Sequence, residues 1–250
     1  GQYHVCEHFG FAGLMGDGGM ARYATLPAYM LHQLPAGFDL AQAAVLEPAA
    51  VALHAVRRSG VRPGDGAIVV GLGPVGLLAC ALLREYGADR IVGVEPHPHR
   101  RELALRLGAG QVIDPSARGS AAAEAAAYLA GGADVSFEVV GHQSSFDTAL
   151  ATVRSGGTVM LLGLTDELRF DAFSVVNREV TIRASVGYND CFPELIGLVA
   201  AGRLDLTPFT REIVPLDEAP AVLRELSSGA RAGLKTLIDC GTSPTSQWVG

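Results

Sequence analysis

The sequence predicts an α/β chain organised around a doubly wound, parallel, six-stranded sheet. Three observations lead there. Short apolar runs of strand length alternate with helical stretches through residues 49–205. Turn residues close most of these segments, at Gly60, Pro63-Gly64, Gly87, Gly108 and Gly131-Gly132. A glycine-rich turn, Gly71-Leu72-Gly73-Pro74-Val75-Gly76, joins the first strand of the series to the helix that follows it. Strands alternating with helices imply a parallel sheet covered on both faces, because each crossover helix packs back onto the sheet.

Residues 1–46 are rich in Gly, Tyr and short apolar runs, with no helical period, and read as strands and loops. Apolar residues recur at helical spacing over 49–58 and the pattern stops near Gly60. Residues 67–70 read as a buried strand and 75–86 as a helix. A strand at 91–95 precedes a helix at 98–107, and a short strand at 112–114 precedes an Ala-rich helix at 120–130. The strand 134–140 leads into a helix at 144–154, and strands at 158–162 and 181–186 complete the six. Beyond them, 193–201 and 217–226 read as helices and 235–239 as a last strand. The tail from Gly241, with Thr, Ser, Pro and Gln, is expected to be loose.

Composition narrows the function. The chain has 250 residues, enough to bury a sizeable core, and 49% of them are hydrophobic against 18% charged, which excludes a disordered chain. A formal net charge of -7 and scattered Lys and Arg argue against a nucleic-acid partner. The apolar stretch 67–83 approaches membrane-span length, but Gly71, Gly73, Pro74 and Gly76 make it a strand and a helix, so no membrane partner is expected. Cys6, Cys80, Cys191 and Cys240 are too widely and irregularly spaced for a disulfide framework, which favours a cytoplasmic protein.

The turn at 71–76 carries the first functional signal. It fits G-x-G-x-x-G in the strand-to-helix context that this pattern requires. Gly71 permits the tight turn, Gly73 lets the backbone approach a pyrophosphate, and Gly76 lets the helix sit close on the strand. Pro74 and Val75 open the helix, whose N-terminus presents N–H groups to the anion. The second strand ends at Glu95, about 19 residues after Gly76, where a carboxylate accepts hydrogen bonds from ribose hydroxyls and repels a 2′-phosphate. NAD is therefore favoured over NADP; a solvated strand-end acid is the other reading of Glu95. Arg100 would cover the adenine or ribose, or is a surface arginine. His97 and His99 soften the preference if protonated.

With their flanks, these residues resemble the zinc-dependent medium-chain alcohol dehydrogenases, nearest to the butanediol and sorbitol (polyol) branch. The resemblance runs over nearly the whole chain. Its most specific segments are Gly18-Gly19-Met20-Ala21-Arg22-Tyr23, Leu46-Glu47-Pro48 through His54-Ala55-Val56, the glycine turn, Gly132-Ala133-Asp134-Val135, Arg154 to Gly163, and Ser185-Val186-Gly187-Tyr188. It implies a Rossmann domain at 49–205 and, at 1–48, the end of a β-rich GroES-like catalytic domain. The chain would return to that domain at 206–240, before the tail 241–250. It further implies that Leu162, Gly163, Leu164, Ser185 and Val186 flank the nicotinamide. These residues also read as buried strand ends.

The resemblance implies zinc in the intact parent, with Glu47 at the catalytic zinc and Cys6 as the fourth ligand of a structural zinc. Glu47 also reads as a helix first-turn carboxylate, where negative charge is favourable. The other ligands that the family supplies precede the first residue here, so the chain reads as a fragment of a longer protein. One thiolate cannot make a four-ligand site, and Cys6 alone reads as a free thiol; a makeshift site with His4 and His8 is the alternative. His54 reads as a core histidine. The implied reaction is hydride transfer between a secondary alcohol or vicinal diol and NAD, with zinc as Lewis acid, in a homodimer or homotetramer whose candidate edge strand is 181–186. Two other readings stand beside it: a zinc-free quinone or enoyl reductase, and a non-catalytic nucleotide-binding remnant.

Overall fold

Five consecutive buried residues, Gly66–Val70, form β1 at the centre of a parallel sheet. The computed structural model describes residues 1–117, 121–231 and 233–241. The chain divides into two compact units, Glu47–Leu204, and Gly1–Leu46 with Asp205–Gly250.

In the first unit, α2 (Leu46–Ser59, after the single turn α1, Leu40–Ala43) leads to β1, and the alternation then runs without interruption. α3 is Pro74–Glu85, β2 Arg90–Val94, α4 Pro98–Arg106, β3 Gln111–Ile113, α5 Ala121–Tyr128, β4 Ala133–Glu138, α6 Gln143–Thr152, β5 Val153–Leu161, α7 Ala172–Asn177, β6 Thr181–Ala184 and α8 Phe192–Ala200. The six strands lie in the order β3-β2-β1-β4-β5-β6, every pair parallel. This is the predicted doubly wound sheet. The chain leaves β1 toward β2 on one side and later returns to β4 on the other, so the strand order reverses between β1 and β4. Ligands bind such sheets in the crevice beyond the carboxyl ends of the strands at that point. Ile68, Val70, Val92, Phe146, Val153 and Val159 belong to the apolar cluster packed on one face of the sheet.

One carboxyl ties three strands at their amino ends. Asp134 on β4 accepts the Gly66 N–H of β1 at 2.7 Å and Arg154 Nε of β5 at 2.7 Å. Burial opposes its charge, but those two partners outweigh it and hold the carboxyl below the ordinary range. A lowered folded pKa means stability that is present at neutral pH and lost as pH falls through that pKa. Asp134→Ala is expected to cost about 1–3 kcal/mol near neutrality. The deficit should shrink below about pH 4, where carboxyls protonate in the unfolded chain. Urea unfolding at two pH values measures it.

Several boundaries differ from the sequence expectation. β5 begins at Val153 rather than at 158, because Val153 pairs with Ala133 before a register shift near Val135. Helix α7 was not anticipated; Asp171 caps it by accepting the Phe173 N–H at 3.0 Å. Ser120 of the expected helix 120–130 and residues 242–250 of the expected loose tail lie outside the described residues.

In the second unit, β7 (Glu212–Pro215) and β8 (Thr236–Asp239) pair in parallel, with α9 (Ala219–Ser227) between them in the chain. Only β8 was expected as a strand. Residues 1–46 correct the expectation of strands: among the described residues they hold two 3₁₀ turns, Tyr3–Val5 and Ala28–Met30, and α1. A strand needs a neighbour for its backbone groups. Most side chains of this stretch are instead exposed, among them Tyr3, Leu14, Tyr23 and Tyr29.

Candidate functional site

The glycine turn sits at the carboxyl end of β1, and its three glycines meet three different surroundings. Gly71 has φ +95° and donates its N–H to the Val94 carbonyl at 2.9 Å. A Cβ there would collide with Cγ2 of Val140, so the position demands glycine twice over. A Cβ at Gly76 would run into the Gly71 carbonyl oxygen, which lets the first turn of α3 close on the end of β1. Gly73 is unlike both. It caps α3 with extended backbone (φ -68°, ψ -174°), and a Cβ there would meet no atom within 4 Å. There is space in front of the capping residue, Pro74 takes the first helical position, and the first N–H groups of a helix have no acceptor within it. That is the cradle an anion takes.

Glu95 follows β2 and is 3% exposed, so it is not the solvated acid that one reading of the sequence allowed. One of its oxygens accepts the Leu72 N–H of the glycine turn at 2.8 Å, and the other lies 3.2 Å from the His97 N–H. Arg100 Nη1 lies 3.8 Å from the same carboxylate. The Arg100 Nε is buried without a hydrogen-bond partner among the described residues. A carboxylate offers about four acceptor directions, so two hydrogen bonds leave Glu95 capacity for hydroxyl donors.

The residues expected beside the nicotinamide come from the ends of β5 and β6. Leu162 and Gly163 donate to the Glu138 carbonyl at 2.9 and 3.2 Å, and Leu164 is 90% exposed. The Ser185 N–H donates to the Leu161 carbonyl at 3.0 Å, and Val186 is exposed. The Ser185 hydroxyl oxygen is buried with no hydrogen-bond partner among the described residues, an orphan suited to a polar ligand. Val140, pressed against Gly71, joins this group to the glycine turn. A phosphate cradle, a buried carboxylate and an orphaned hydroxyl thus fit a dinucleotide laid across the carboxyl end of the sheet.

The metal ligands do not come together. Glu47 lies exposed in the first turn of α2 rather than entering the core. Burial, together with the charges of Glu47 and Cys191, pushes the Tyr188 hydroxyl up. Cys6 is an exposed free thiol, His4 is buried and the His8 side chain is exposed, so the makeshift site is not formed. No group of three His, Cys, Asp or Glu residues able to hold a metal occurs among the described residues. Glu47 and Cys6 by themselves do not fit a zinc site. His54 is buried on α2. Cys80, on α3, is buried, and desolvation pushes its thiol up to about 12, which leaves it unreactive.

Sequence reasoning missed one group at this site, Glu138, the last residue of β4. It is 1% exposed and accepts the N–H groups of Val140 and Gly141 at 2.8 and 2.9 Å. The available signal was an acid closing an apolar strand three residues before Gly141.

Comparison with known proteins gives consistent matches. A family model described as zinc-binding dehydrogenase matches residues 74–201. The D-xylulose reductase A of Aspergillus oryzae is 33% identical over 246 residues, covering 95% of this chain and 68% of its own length. The crystal structure of 2R,3R-butanediol dehydrogenase from Bacillus subtilis superposes with a TM-score of 0.84 at 34% identity, covering 92% of this chain and 65% of that one. A zinc-binding dehydrogenase from Sinorhizobium meliloti 1021, solved with NADP, superposes with a TM-score of 0.85 at 27% identity, over 94% of this chain and 69% of that one. The chain spans about two thirds of the length of these relatives.

Proposed function

The chain belongs to the zinc-binding dehydrogenase family, and from that premise we propose that it binds NAD across its glycine turn and takes part in hydride transfer between that cofactor and a secondary alcohol or vicinal diol. The observation that carries the reading is the contrast among the three glycines. Gly71 and Gly76 are filled in by the protein itself, whereas Gly73 opens onto space at a helix N-terminus.

Bound there, NAD supplies the hydride acceptor. The chain's own residues bind and orient it. The N–H groups at the start of α3 hold the pyrophosphate, with Gly73, Pro74 and Val75 as the floor. Glu95 accepts from the adenosine ribose, and Arg100 lies over that end. Leu162, Gly163, Leu164, Ser185 and Val186 border the nicotinamide, with the Ser185 hydroxyl as its polar contact. The names of the relatives, a D-xylulose reductase and a 2R,3R-butanediol dehydrogenase, support the substrate class. Zinc belongs to the whole-protein reading, in which Glu47 and Cys6 would each be one ligand of a set.

Three finer statements belong to the same proposal. β6 is an exposed sheet edge, open to pairing with a second copy, which supports a homodimer or homotetramer. All four cysteines are free thiols, which suits the cytoplasm. No helix among the described residues is long and apolar enough to cross a membrane.

The test is turnover. The chain, with zinc and NAD supplied, is assayed for NADH formation on butane-2,3-diol and on polyols. Oxidation of a vicinal diol supports the proposal. Tight NADH binding with no turnover on any alcohol would favour a nucleotide-binding module instead.

A further inference from the structure

Glu138 is a buried carboxylate that forms no ion pair among the described residues. Leaving such a group in a low-dielectric site is costly unless hydrogen bonds satisfy it. Here the donors come from the turn that follows its own strand. Oε1 accepts the N–H of Val140 at 2.8 Å and of Gly141 at 2.9 Å. Ser145 Oγ, on the first turn of α6, lies 2.7 Å from the same oxygen and 2.7 Å from the His142 carbonyl, so its one proton is shared between them. Among the described residues, all the donors on this carboxylate converge on Oε1.

The other oxygen faces a different loop. A Cβ built on Gly163, beyond β5, would lie 2.6 Å from Glu138 Oε2 and 2.5 Å from Gly141 Cα. The Glu138 carbonyl meanwhile accepts the N–H groups of Leu162 and Gly163. Gly141, at φ +82°, packs so closely that a Cβ there would meet the Leu164 backbone. One residue therefore holds the turn after β4 by its side chain and the turn after β5 by its main chain. Its second oxygen is pressed between the two. What these turns carry outward is Val140, which covers Gly71, and Leu164, almost fully exposed beyond β5.

We infer that Glu138 is a positioning residue, whose buried carboxylate fixes the two turns flanking the nicotinamide half of the bound dinucleotide. The inference rests on the dinucleotide reading of the crevice given above. Glu138 acts through Val140, Gly141 and Gly163. The adenosine half, held by the Gly73 cradle and Glu95 on the far side of β1, does not depend on it.

That separation supplies the test. NADH carries both halves, whereas ADP-ribose carries the adenosine and pyrophosphate but no nicotinamide. Glu138→Gln keeps the size of the side chain but replaces one acceptor by an amide N–H₂ that both turns must accommodate. In the full chain, its Kd for NADH is expected to rise about tenfold, with the Kd for ADP-ribose changing less than about twofold. A residue that served only the fold would weaken the two ligands together. If Glu138→Gln does not fold, Ser145→Ala tests the same carboxylate through another of its donors, because it removes the hydroxyl 2.7 Å from Oε1 and leaves the two turns beside the nicotinamide unaltered in sequence. The same split is expected. Parallel weakening of NADH and ADP-ribose in the folded variant, or no change in either, overturns the inference. Wild-type chain that binds neither ligand overturns the dinucleotide reading itself, and this inference with it.

Discussion

Replacing Gly73 by Asp is expected to raise the Kd for NADH by about 100-fold or more, a loss of about 2.7 kcal/mol, while the melting temperature stays level or rises slightly. The two halves of that expectation have separate causes. Asp is among the preferred residues at a helix N-cap, and its charge is favourable at the positive end of the helix dipole. Gly73 is the N-cap of α3, with extended backbone that any residue adopts and no atom within 4 Å of an added Cβ. The fold therefore has no objection. The pyrophosphate does, because the new carboxylate occupies its place and repels it. Gly76→Ala is the control of opposite sign. Its Cβ would strike the Gly71 carbonyl oxygen, so it should destabilise the chain as a clash at a close backbone approach does, by about 1–3 kcal/mol. Thermal unfolding beside NADH fluorescence titration separates the two.

The second large effect lies at Glu95. The wild-type chain is expected to bind NADH at least about tenfold tighter than NADPH, because a buried carboxylate at the ribose end repels a 2′-phosphate. Glu95→Gln keeps an oxygen for the Leu72 N–H, bonded at 2.8 Å, but removes the charge. Arg100, 3.8 Å from that carboxylate, and His97 would then face the phosphate unopposed. The preference should fall to near parity, with little change in stability. Glu95→Ala differs, since it leaves the buried Leu72 N–H without its acceptor and should cost about 1–3 kcal/mol of stability. Competition titrations with the two reduced cofactors measure the ratio. A wild-type chain preferring NADPH would reverse the assignment, and the NADP-bound relative makes that comparison necessary.

Much of the sheet was legible because its punctuation is local. Gly87, Gly108, Gly131 and Gly132 all sit at positive φ, where only glycine is comfortable, and each ends a helix that the apolar period had already marked. The strand-to-helix turn at 71–76 was legible for the same reason, with Gly71 at positive φ and Gly76 at a close backbone approach. Where a segment depends on distant partners, the pattern misled. Residues 1–46 have the composition of strands, but nothing local supplies the neighbour that a strand requires. β7 holds only two apolar residues, Ile213 and Val214, before Pro215, a run too short to stand out until β8 pairs with it. Glu138 was read as an ordinary strand residue. Whether an acid at a strand end is buried depends on donors from two later turns, and no spacing in the chain announces them. The candidate cofactor residues lie at or just beyond the carboxyl ends of β1, β2, β5 and β6. Glu47 and Cys6 do not gather into a metal site among the described residues; each is exposed, and no group of three His, Cys, Asp or Glu residues able to hold a metal forms there.

On this reading the chain holds a dinucleotide by the Gly73 cradle. Fluorescence titration of the wild-type chain with NADH, displaced by ADP-ribose, tests it most directly. Saturable binding of one NADH per chain, competed fully by ADP-ribose and lost in Gly73→Asp, is expected. Binding that ADP-ribose fails to compete, or that survives Gly73→Asp unchanged, would contradict it.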